Sequence, residues 1–333
     1  MSIKIIKPGL LSTIQDTGRK GYQKFGIIES GAMDSFAHRA ANILVGNDMD
    51  AAAIEITILG PTILFTENSL IAICGGDFTV TINGKRLPQW CPVFVSEGSV
   101  LKFSGAKSQI RSYLAIAGGF DLPKEMGSYS TYLRAGIGGY MGRELRVGDV
   151  LNVGKTKYSL GSFPTDKSFI VISKYISNRV KPMYAANQVI RVIKGAQFDL
   201  FTQESKKLFF SKPYSVLPDS DRMGYRLEGA TLALEQKQEM ISAAVAFGTI
   251  QIPANGQPII LMADHQTTGG YPKIAQVISV DLPLLAQLNL GATIQFQEVT
   301  LQEAQSLYIK REQDLQQLQY IVKKELKNFI GGI

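Results

Sequence analysis

The stretch FTVTINGKRLPQWCPVFVSEGSVLKF, residues 78–103, decides the fold class of this chain. Its short runs of β-branched and aromatic residues, separated by glycine, proline and asparagine, are typical of β-strands. Asn83 and Gly84, between two of these runs, predict a hairpin with a two-residue turn. Glu97 and Gly98 predict a second hairpin further along. We therefore expect this half of the chain to be antiparallel β-structure.

Helical patterns are rarer. The segment MDSFAHRAANILVGN has apolar residues at helical spacing and ends at Gly46, and DLPLLAQLNLG predicts a short helix with Asp281 as its cap. The tail LQEAQSLYIKREQDLQQLQYIVKKELK carries the longest helical signal, and its apolar face should pack on its own domain, although a partner helix would also fit. This face comprises Leu301, Ala304, Leu307, Tyr308, Leu315, Leu318 and Ile321.

The length of the chain predicts two domains, because 333 residues are about twice the usual domain size. The stretch VGKTKYSLGSFPTDKS, residues 153–168, is polar and lacks a hydrophobic period. We expect an N-terminal β subdomain over residues 1–160 and a C-terminal β-barrel subdomain with a helical tail over residues 161–333. The segment VIRVIKGAQFDLF echoes IKIIKPGLLSTI near the start, which is consistent with two related barrels.

Composition and charge argue against several classes of protein. The net charge of +7 does not indicate nucleic-acid binding, because the lysines fall in the tail or are scattered among acidic residues. Cys74 and Cys91 lack a CxxC pattern and a neighbouring histidine, so we expect buried, reduced thiols and no metal site. The N-terminus does not resemble a secretory signal, and no apolar run approaches the roughly 20 residues that span a bilayer. A cytoplasmic protein that binds neither nucleic acid nor membrane is expected.

Three polar, glycine-bearing clusters could carry chemistry: STIQDTGRKGYQKFGIIESGAMD, PDSDRMGYRLEG and ADHQTTGGYPKIA. Such composition is typical of loops that bring the backbone close to a ligand, although tight turns with solvated charges would look the same. The candidate substrate-binding residues in these clusters are Gln15, Asp16, Arg19, Asp34, Asp221, Arg222, Arg226, Thr267, Thr268, Gly269, Gly270 and Tyr271.

The third cluster follows the apolar run QPIILM and opens with Asp264, His265 and Gln266, which are the candidate catalytic residues. Side chains alternate along an extended chain, so these three cannot share one face unless the loop bends. Asp264 or His265 would transfer protons, and the N–H groups that follow at the two glycines would suit an anionic group. Alternatively, Asp264 and Gln266 only satisfy buried backbone groups around the turn.

Arg222 and Arg226 in the second cluster suit a carboxylate or a phosphate, since the guanidinium group is planar and can donate two parallel hydrogen bonds. An internal ion pair between Asp221 and Arg222 that fixes a turn is equally consistent with the sequence. The chain has no GxxxxGK[ST] loop, and the glycines of GIGGYMGRELRVGD have the wrong spacing for a dinucleotide site. We therefore expect no independent nucleotide site.

Several segments resemble those of one known family. They are GLLSTIQDTGRKGYQKFGIIESGAMD, RSYLAIAGGF, TYLRAGIGGYMGRELRVGD, SDRMGYRLEG and GTIQIPANGQPIILMADHQTTGGYPKIAQVISVDL. They are similar to the KipA/PxpC family, which is also described as allophanate hydrolase subunit 2 or the biotin-dependent carboxyltransferase domain family. The resemblance implies a mainly β fold of two cyclophilin-like β-barrel subdomains, the N-terminal one carboxyltransferase-like, with a few short helices and a C-terminal helix.

The resemblance also implies a function. It implies the PxpC-type component of an ATP-dependent 5-oxoprolinase, which hydrolyses the cyclic amide 5-oxo-L-proline to L-glutamate. Two further subunits would take part, one KipI-like (PxpB-like) and one of the LamB/YcsF type (PxpA-like), and ATP would be bound by the assembled complex. Two other uses of the family stay open: a regulatory antagonist that binds a KipI-like histidine-kinase inhibitor, and a carboxyltransferase that uses biotin and acts on urea or a related amide.

Overall fold

The computed structural model describes residues 1–157, 168–172, 176–177, 180–236 and 238–330. The chain divides into two compact units, each assembled from segments that are not contiguous in sequence. Unit 1 comprises Met1–Gly18, Asp34–Pro182 and Glu312–Ile333, and unit 2 comprises Arg19–Met33 and Met183–Arg311. The boundary predicted after residue 160 falls among residues 158–167, which lie outside the described residues.

Unit 1 contains two antiparallel sheets, to each of which the described residues contribute six strands. The strands are β1 (Ser2–Lys7), β2 (Leu11–Gln15), β3 (Ala53–Thr57), β4 (Thr62–Phe65), β5 (Ser69–Gly75), β6 (Phe78–Ile82), β7 (Lys85–Arg86), β8 (Pro92–Val95), β9 (Val100–Ala106), β10 (Arg111–Ile116), β11 (Val150–Asn152) and β12 (Phe169–Val171). The strand orders are β11-β1-β4-β9-β6-β7 and β12-β8-β5-β10-β3-β2. Apolar side chains from both sheets form one core, which includes Ile5, Phe65, Ile73, Val93, Leu101 and Leu114.

The two predicted hairpins of unit 1 have different outcomes. The hairpin at Asn83 and Gly84 is confirmed, because β6 pairs with β7 and both turn residues have positive φ, 49° and 79°. The hairpin at Glu97 and Gly98 is wrong. Here β8 pairs with β5 and β12 in one sheet, whereas β9 pairs with β4 and β6 in the other. The Gly98 N–H donates to the carbonyl of Phe65 at 2.8 Å, so the chain turns a corner between two sheets.

Unit 2 is built on a closed barrel, to which the described residues contribute seven strands. The strands of unit 2, in the barrel and outside it, are β13 (Asn187–Lys194), β14 (Tyr214–Val216), β15 (Gly224–Glu228), β16 (Ala243–Ala244), β17 (Thr249–Gln251), β18 (Ile259–Leu261), β19 (Thr268–Gly269), β20 (Lys273–Val277) and β21 (Thr293–Glu298). The barrel order is β13-β20-β17-β18-β15-β14-β21, closed by parallel pairing of β13 with β21, and β16 and β19 form a separate ribbon. The mainly β prediction is confirmed.

The α-helices of the described residues are α1 (Ser35–Leu44), α2 (Gln203–Ser211), α3 (Leu282–Ala286) and α4 (Leu301–Ile330). Helix α1 was predicted and is confirmed, with the Asp34 side chain accepting a hydrogen bond from the N–H of Ala37 at 2.9 Å. Helix α3 is shorter than predicted. The Asp281 carboxylate does not cap it but binds Arg191, with Nη2 to Oδ1 at 2.5 Å and Nε to Oδ2 at 3.0 Å.

Helix α4 is confirmed, but the predicted apolar face is only partly right. Leu315 is buried as predicted, whereas Leu301, Tyr308 and Ile321 are exposed. The pattern omitted Val322 and Leu326, which are buried. Spacing shows which residues share a face, but it does not show where along the helix that face is covered. Nowhere in the described ranges does a helix have the length and apolar character needed to cross a membrane.

The cysteines of unit 1 are both buried free thiols, as predicted. Burial raises the pKa of Cys91 to about 12 and raises the pKa of Cys74 well above its ordinary value. Both thiols are therefore protonated at neutral pH, and a protonated thiol is a poor nucleophile.

Candidate active site

Residues from all three polar clusters meet in unit 2. Strands β15 and β18 pair antiparallel, with Gly224 opposite Leu261. The residues just before β15 and just after β18 therefore lie side by side at the same end of the strand pair. The Asp264 N–H donates to the carbonyl of Arg222 at 2.7 Å, which extends this pairing into the two loops.

The side chains of Arg222 and Asp264 form a two-point ion pair. Nε of Arg222 donates to Oδ2 of Asp264 and Nη2 donates to Oδ1, both at 2.9 Å. The two side chains are 10% and 8% exposed. Parallel hydrogen bonds of this kind fix the orientation of both groups as well as neutralising their charges. Arg222 therefore has a carboxylate partner in the third cluster, Asp264.

The first cluster contributes the turn formed by Ser30 and Gly31. The hydroxyl of Ser30 donates to Oδ1 of Asp264 at 2.7 Å, and the carbonyl of Gly31 accepts from Nη2 of Arg222 at 2.6 Å. Ser30 and Gly31 have φ values of 57° and 99°. We call the group Ser30, Gly31, Arg222, Asp264 and His265 the Asp264 site. Ser30 was not among the predicted residues, although it lies in a predicted cluster.

His265 lies beside Asp264 and is also buried, whereas Gln266 is exposed. Nδ1 of His265 is 2.6 Å from the carbonyl oxygen of Gln266. A carbonyl only accepts hydrogen bonds, so Nδ1 carries the hydrogen, and Nε2 carries the lone pair when the ring is neutral. The chain turns at Ala263 and Asp264, which supplies the bend that the sequence argument required.

The rest of the third cluster forms a ribbon rather than an open loop. Thr268 pairs with Ala244 and Gly269 pairs with Ala243, and the carbonyl of Thr267 accepts a hydrogen bond from Val245 at 3.2 Å. A Cβ atom at Gly269 would overlap the side-chain amide of Gln251. The absence of a side chain at Gly269 thus leaves room for that amide.

Gly270 and Tyr271, the last residues of this loop, lie near the protein surface. A Cβ atom at Gly270 would lie 3.3 Å from the hydroxyl of Ser242. Tyr271 is 48% exposed, and its carbonyl accepts from Nε2 of Gln251 at 3.5 Å. These residues are therefore adjacent in sequence to the Asp264 site, with contacts to a different set of side chains.

The other predicted residues of unit 2 have local partners. Asp221 accepts from the N–H groups of Met223 and Gly224 at 2.7 and 3.2 Å, which fixes the turn before β15. Arg226 pairs with Asp219 at 3.0 Å, and its side chain is 54% exposed. Arg19 is fully buried, and its backbone N–H donates to the carbonyl of Glu29 at 2.7 Å.

Asp16, in unit 1, is a buried carboxylate with four donors. Oδ1 accepts from the N–H of Gly18 at 2.8 Å and from the hydroxyls of Ser128 and Ser130 at 2.7 and 2.5 Å, and Oδ2 accepts from the N–H of Tyr129 at 2.7 Å. Burial acts to raise the pKa of Asp16, but these hydrogen bonds outweigh it, so that the pKa is lowered.

The remaining predicted residues, Gln15 and Asp34, also lie in unit 1. The amide of Gln15 donates to Oγ1 of Thr13 and to the carbonyl of Thr131, both at 3.1 Å. Asp34 caps helix α1. His38, on that helix, is fully buried with Nε2 at 3.2 Å from the carbonyl of Gln15, and burial lowers its pKa.

Sequence comparisons identify relatives of this chain. The family model described as carboxyltransferase domain, subdomain A and B, matches residues 25–298. The C subunit of 5-oxoprolinase from Haemophilus influenzae is 41% identical over 314 residues, which cover 94% of this chain and 96% of that protein. The C subunit of 5-oxoprolinase from Escherichia coli is 39% identical over 320 residues, which cover 94% of this chain and 95% of that protein. The urea amidolyase of Saccharomyces cerevisiae is 34% identical over 329 residues, covering 94% of this chain but 17% of that protein.

Solved structures agree with these matches. The urea amidolyase of K. lactis superimposes with a TM-score of 0.88 and 30% identity over 95% of this chain and 20% of that chain. The Kluyveromyces lactis urea carboxylase gives the same TM-score and identity over 95% of this chain and 29% of that chain. This chain therefore spans less than a third of either of these solved chains. Since the family model covers most of the sequence and the two bacterial relatives match along nearly their whole length, the chain belongs to the family of carboxyltransferase domains, subdomains A and B.

Proposed function

We propose that this chain is the C subunit of an ATP-dependent 5-oxoprolinase that hydrolyses 5-oxo-L-proline to L-glutamate. The observation that carries the proposal is the identity of 41% and 39%, over nearly the whole length of each, to two bacterial proteins that bear this name. The urea amidolyase match, by contrast, covers 17% of a much larger protein. We further propose that the chain works in the cytoplasm with two other subunits, one KipI/PxpB-like and one of the LamB/YcsF type, which is PxpA-like.

The Asp264 site supports this proposal through its chemistry. Hydrolysis of a lactam forms a bond between the water oxygen and the carbonyl carbon and breaks the bond between that carbon and the nitrogen, while the water loses a proton and the nitrogen gains one. The lone pair on Nε2 of His265 can accept the proton from the water and later return a proton to the nitrogen. Asp264 orients the substrate N–H or the water, and the exposed amide of Gln266 contacts the substrate from the rim of the loop.

The Asp264 site fits an uncharged amide and does not fit the phosphates of ATP. The charge of Arg222 is already neutralised by Asp264, and the carboxylate would repel a phosphate. Arg226 is paired with Asp219. We therefore propose that the other subunits hold ATP in the assembled complex.

Reconstitution tests the proposal directly. The purified chain alone should release no glutamate from 5-oxo-L-proline and ATP, whereas the chain mixed with its PxpB-like and PxpA-like partners should release it only when ATP is present. Activity of the chain alone would refute shared catalysis. An assembled complex without activity would refute the function itself.

A second candidate function is biotin-dependent carboxyl transfer to urea or a related amide, which the similarity to urea carboxylase favours. Deletion of the gene separates the two candidates. Cells should accumulate 5-oxo-L-proline if the chain is part of a 5-oxoprolinase, and the level should not change if it is a carboxyltransferase. An unchanged level together with no biotin-dependent activity would point to the regulatory role instead.

A further inference from the structure

We infer that Ser30 is a positioning residue that determines which oxygen of Asp264 is presented to the substrate. The inference rests on the proposed function, because it assigns a role within the same site. Ser30 is 7% exposed and lies 234 residues before Asp264 in the sequence, yet its hydroxyl is 2.7 Å from Oδ1 of Asp264.

The backbone at Ser30 is in a conformation that a serine adopts at a cost. Its φ of 57° lies in the left-handed region, which is unfavourable for an L-residue and is not penalised for glycine. Gly31, which follows, has a φ of 99°. A serine in this position loses backbone stability and gains a hydroxyl that reaches the carboxylate. Strain of this kind is concentrated at functional sites.

The hydrogen bonds of Asp264 show what that hydroxyl does. Each carboxylate oxygen has two lone pairs with which it accepts hydrogen bonds, and a third donor has to share them, as at Oδ1 of Asp16. Oδ1 accepts from Ser30 and from Nη2 of Arg222, and Oδ2 accepts from Nε of Arg222. The acceptor position that is left lies on Oδ2. Without the Ser30 hydroxyl, Oδ1 would also have an open position, and the carboxylate would offer two competing sites to a substrate N–H or a water.

The turn also holds the second member of the ion pair. The carbonyl of Gly31 accepts from Nη2 of Arg222 at 2.6 Å. Two consecutive residues therefore contact the two members of the ion pair, Ser30 contacting Asp264 and Gly31 contacting Arg222. The Arg19 N–H binds the carbonyl of Glu29 directly before the turn at 2.7 Å, which anchors its position. The side chain of Ser30 and the carbonyl of Gly31 thus act as one rigid support.

The test compares Ser30→Gly, Ser30→Ala and Ser30→Thr in the assembled complex with 5-oxo-L-proline. Ser30→Gly removes the hydroxyl and also relieves the left-handed backbone, so it should fold as well as the wild type. We expect kcat to fall about tenfold in Ser30→Gly and Ser30→Ala, the scale of one lost hydrogen bond to a charged group, with the KM for ATP unchanged. Ser30→Thr, which keeps a hydroxyl, should recover part of the loss.

Two controls make the result specific. Asn83→Gly relieves the same backbone conformation in unit 1, where φ is 49°, and should leave kcat unchanged. In the Asp264→Asn background, Ser30→Gly should lower kcat no further, because the group through which it acts has already been changed. A purely structural Ser30 would change the melting temperature and leave kcat alone.

The outcomes separate this inference from the proposed function. A wild-type kcat in Ser30→Gly would overturn the positioning role while the complex remained a 5-oxoprolinase. So would an equal loss of kcat when Ser30→Gly is introduced into the wild-type and the Asp264→Asn complexes. A wild-type complex that does not hydrolyse 5-oxo-L-proline would overturn the proposed function and this role with it.

Discussion

Asp16 in unit 1 and Asp264 in unit 2 are two buried carboxylates with different surroundings. Each comes directly or shortly after a strand, β2 or β18, within a polar cluster that carries glycines. Asp16 is bound by four uncharged donors, two of them hydroxyls and two backbone N–H groups. Asp264 is bound by a guanidinium group and one hydroxyl.

This difference distinguishes Asp16, whose donors hold a loop, from Asp264, the acid of the proposed site. The donors of Asp16 come from residues 128–130 and from Gly18, so its charge holds a loop against the end of β2. Asp264 pairs with a cation and keeps one acceptor position on Oδ2. The number and charge of the donors therefore distinguish two acids that look alike in the sequence.

Arg222→Ala should give the largest loss of stability in unit 2. It leaves the Asp264 carboxylate buried without its cation, which typically costs about 3–5 kcal/mol. The matched control is Arg226→Ala, because Arg226 lies four positions away and its ion pair is more than half exposed. That pair should contribute at most about 1 kcal/mol. Equal losses for the two variants in urea unfolding followed by circular dichroism would show that the buried pair is not special.

His265→Ala should lower turnover of the assembled complex about 100-fold, the scale of a lost acid or base group, with little change in melting temperature. Asp264→Asn should reduce turnover similarly, but it should also destabilise unit 2, since the charge of Arg222 is left uncompensated. Lys102→Ala, on the exposed face of β9, is the control. Turnover and melting are measured on the same samples, and a destabilised but fully active His265→Ala complex would end the catalytic role.

Asp16→Asn should destabilise unit 1 by about 1–3 kcal/mol, because an amide NH₂ would face the N–H of Tyr129 and leave a buried donor unsatisfied. Trp90 is the only tryptophan of the chain and lies buried in unit 1, so its fluorescence reports on that unit. Asp77→Asn is the control, as its pair with Lys107 is about half exposed. No difference between the two variants would mean that Asp16 does not anchor the loop.

The pH dependence of unit 1 should reveal two titrations. The pKa of Asp16 is lowered from 3.8, so its stabilising effect is complete above that value and is lost as the pH falls through the folded-state pKa. The pKa of His38 is lowered from 6.5 by burial, so the unfolded chain takes up a proton first and unit 1 loses stability as the pH falls below 6.5.

Variants can assign these two titrations. Between pH 7 and 5 the loss of stability should come from His38, at most about 1.4 kcal/mol per pH unit, because the Asp16 effect is complete above 3.8. The loss of stability that is due to His38 should be absent from His38→Gln. The Asp16→Asn variant should retain that loss, but it should lack the further loss at more acidic pH that is due to Asp16. Trp90 fluorescence in urea at a series of pH values makes the measurement. A wild-type profile retained in both variants would assign the titrations to other groups.

The parts of the structure that follow from nearby residues were predictable from the sequence. The turn at Asn83 and Gly84 and helix α1 depend on residues within a few positions of each other. The pairing of β8 and β9 failed because each strand found its partners elsewhere in the chain. The carboxylate of Asp281 likewise binds Arg191, 90 residues away, in place of its own helix.

The candidate site shows the same limit. Family resemblance and polar composition placed Arg222 and Asp264 among the candidates, but their mutual pairing spans 42 residues and no local pattern encodes it. Ser30 was missed because a serine before a glycine is ordinary turn sequence. The informative property is its positive φ, which only the folded backbone reveals.

Each unit is built from segments that are far apart in the sequence, which affects how the chain folds during its synthesis. Ribosomes add about 5–20 residues per second, so roughly 12 to 47 s separate the synthesis of Ser30 from that of Asp264, 234 residues later. During this time Met33, whose side chain belongs to the barrel core, has been made without the strands that cover it. Unit 1 in turn includes residues from Glu312 onward, so neither unit has all of its segments until residues 311 and later have been synthesised. The nascent chain therefore exposes apolar segments of both units during much of the time in which these residues are made.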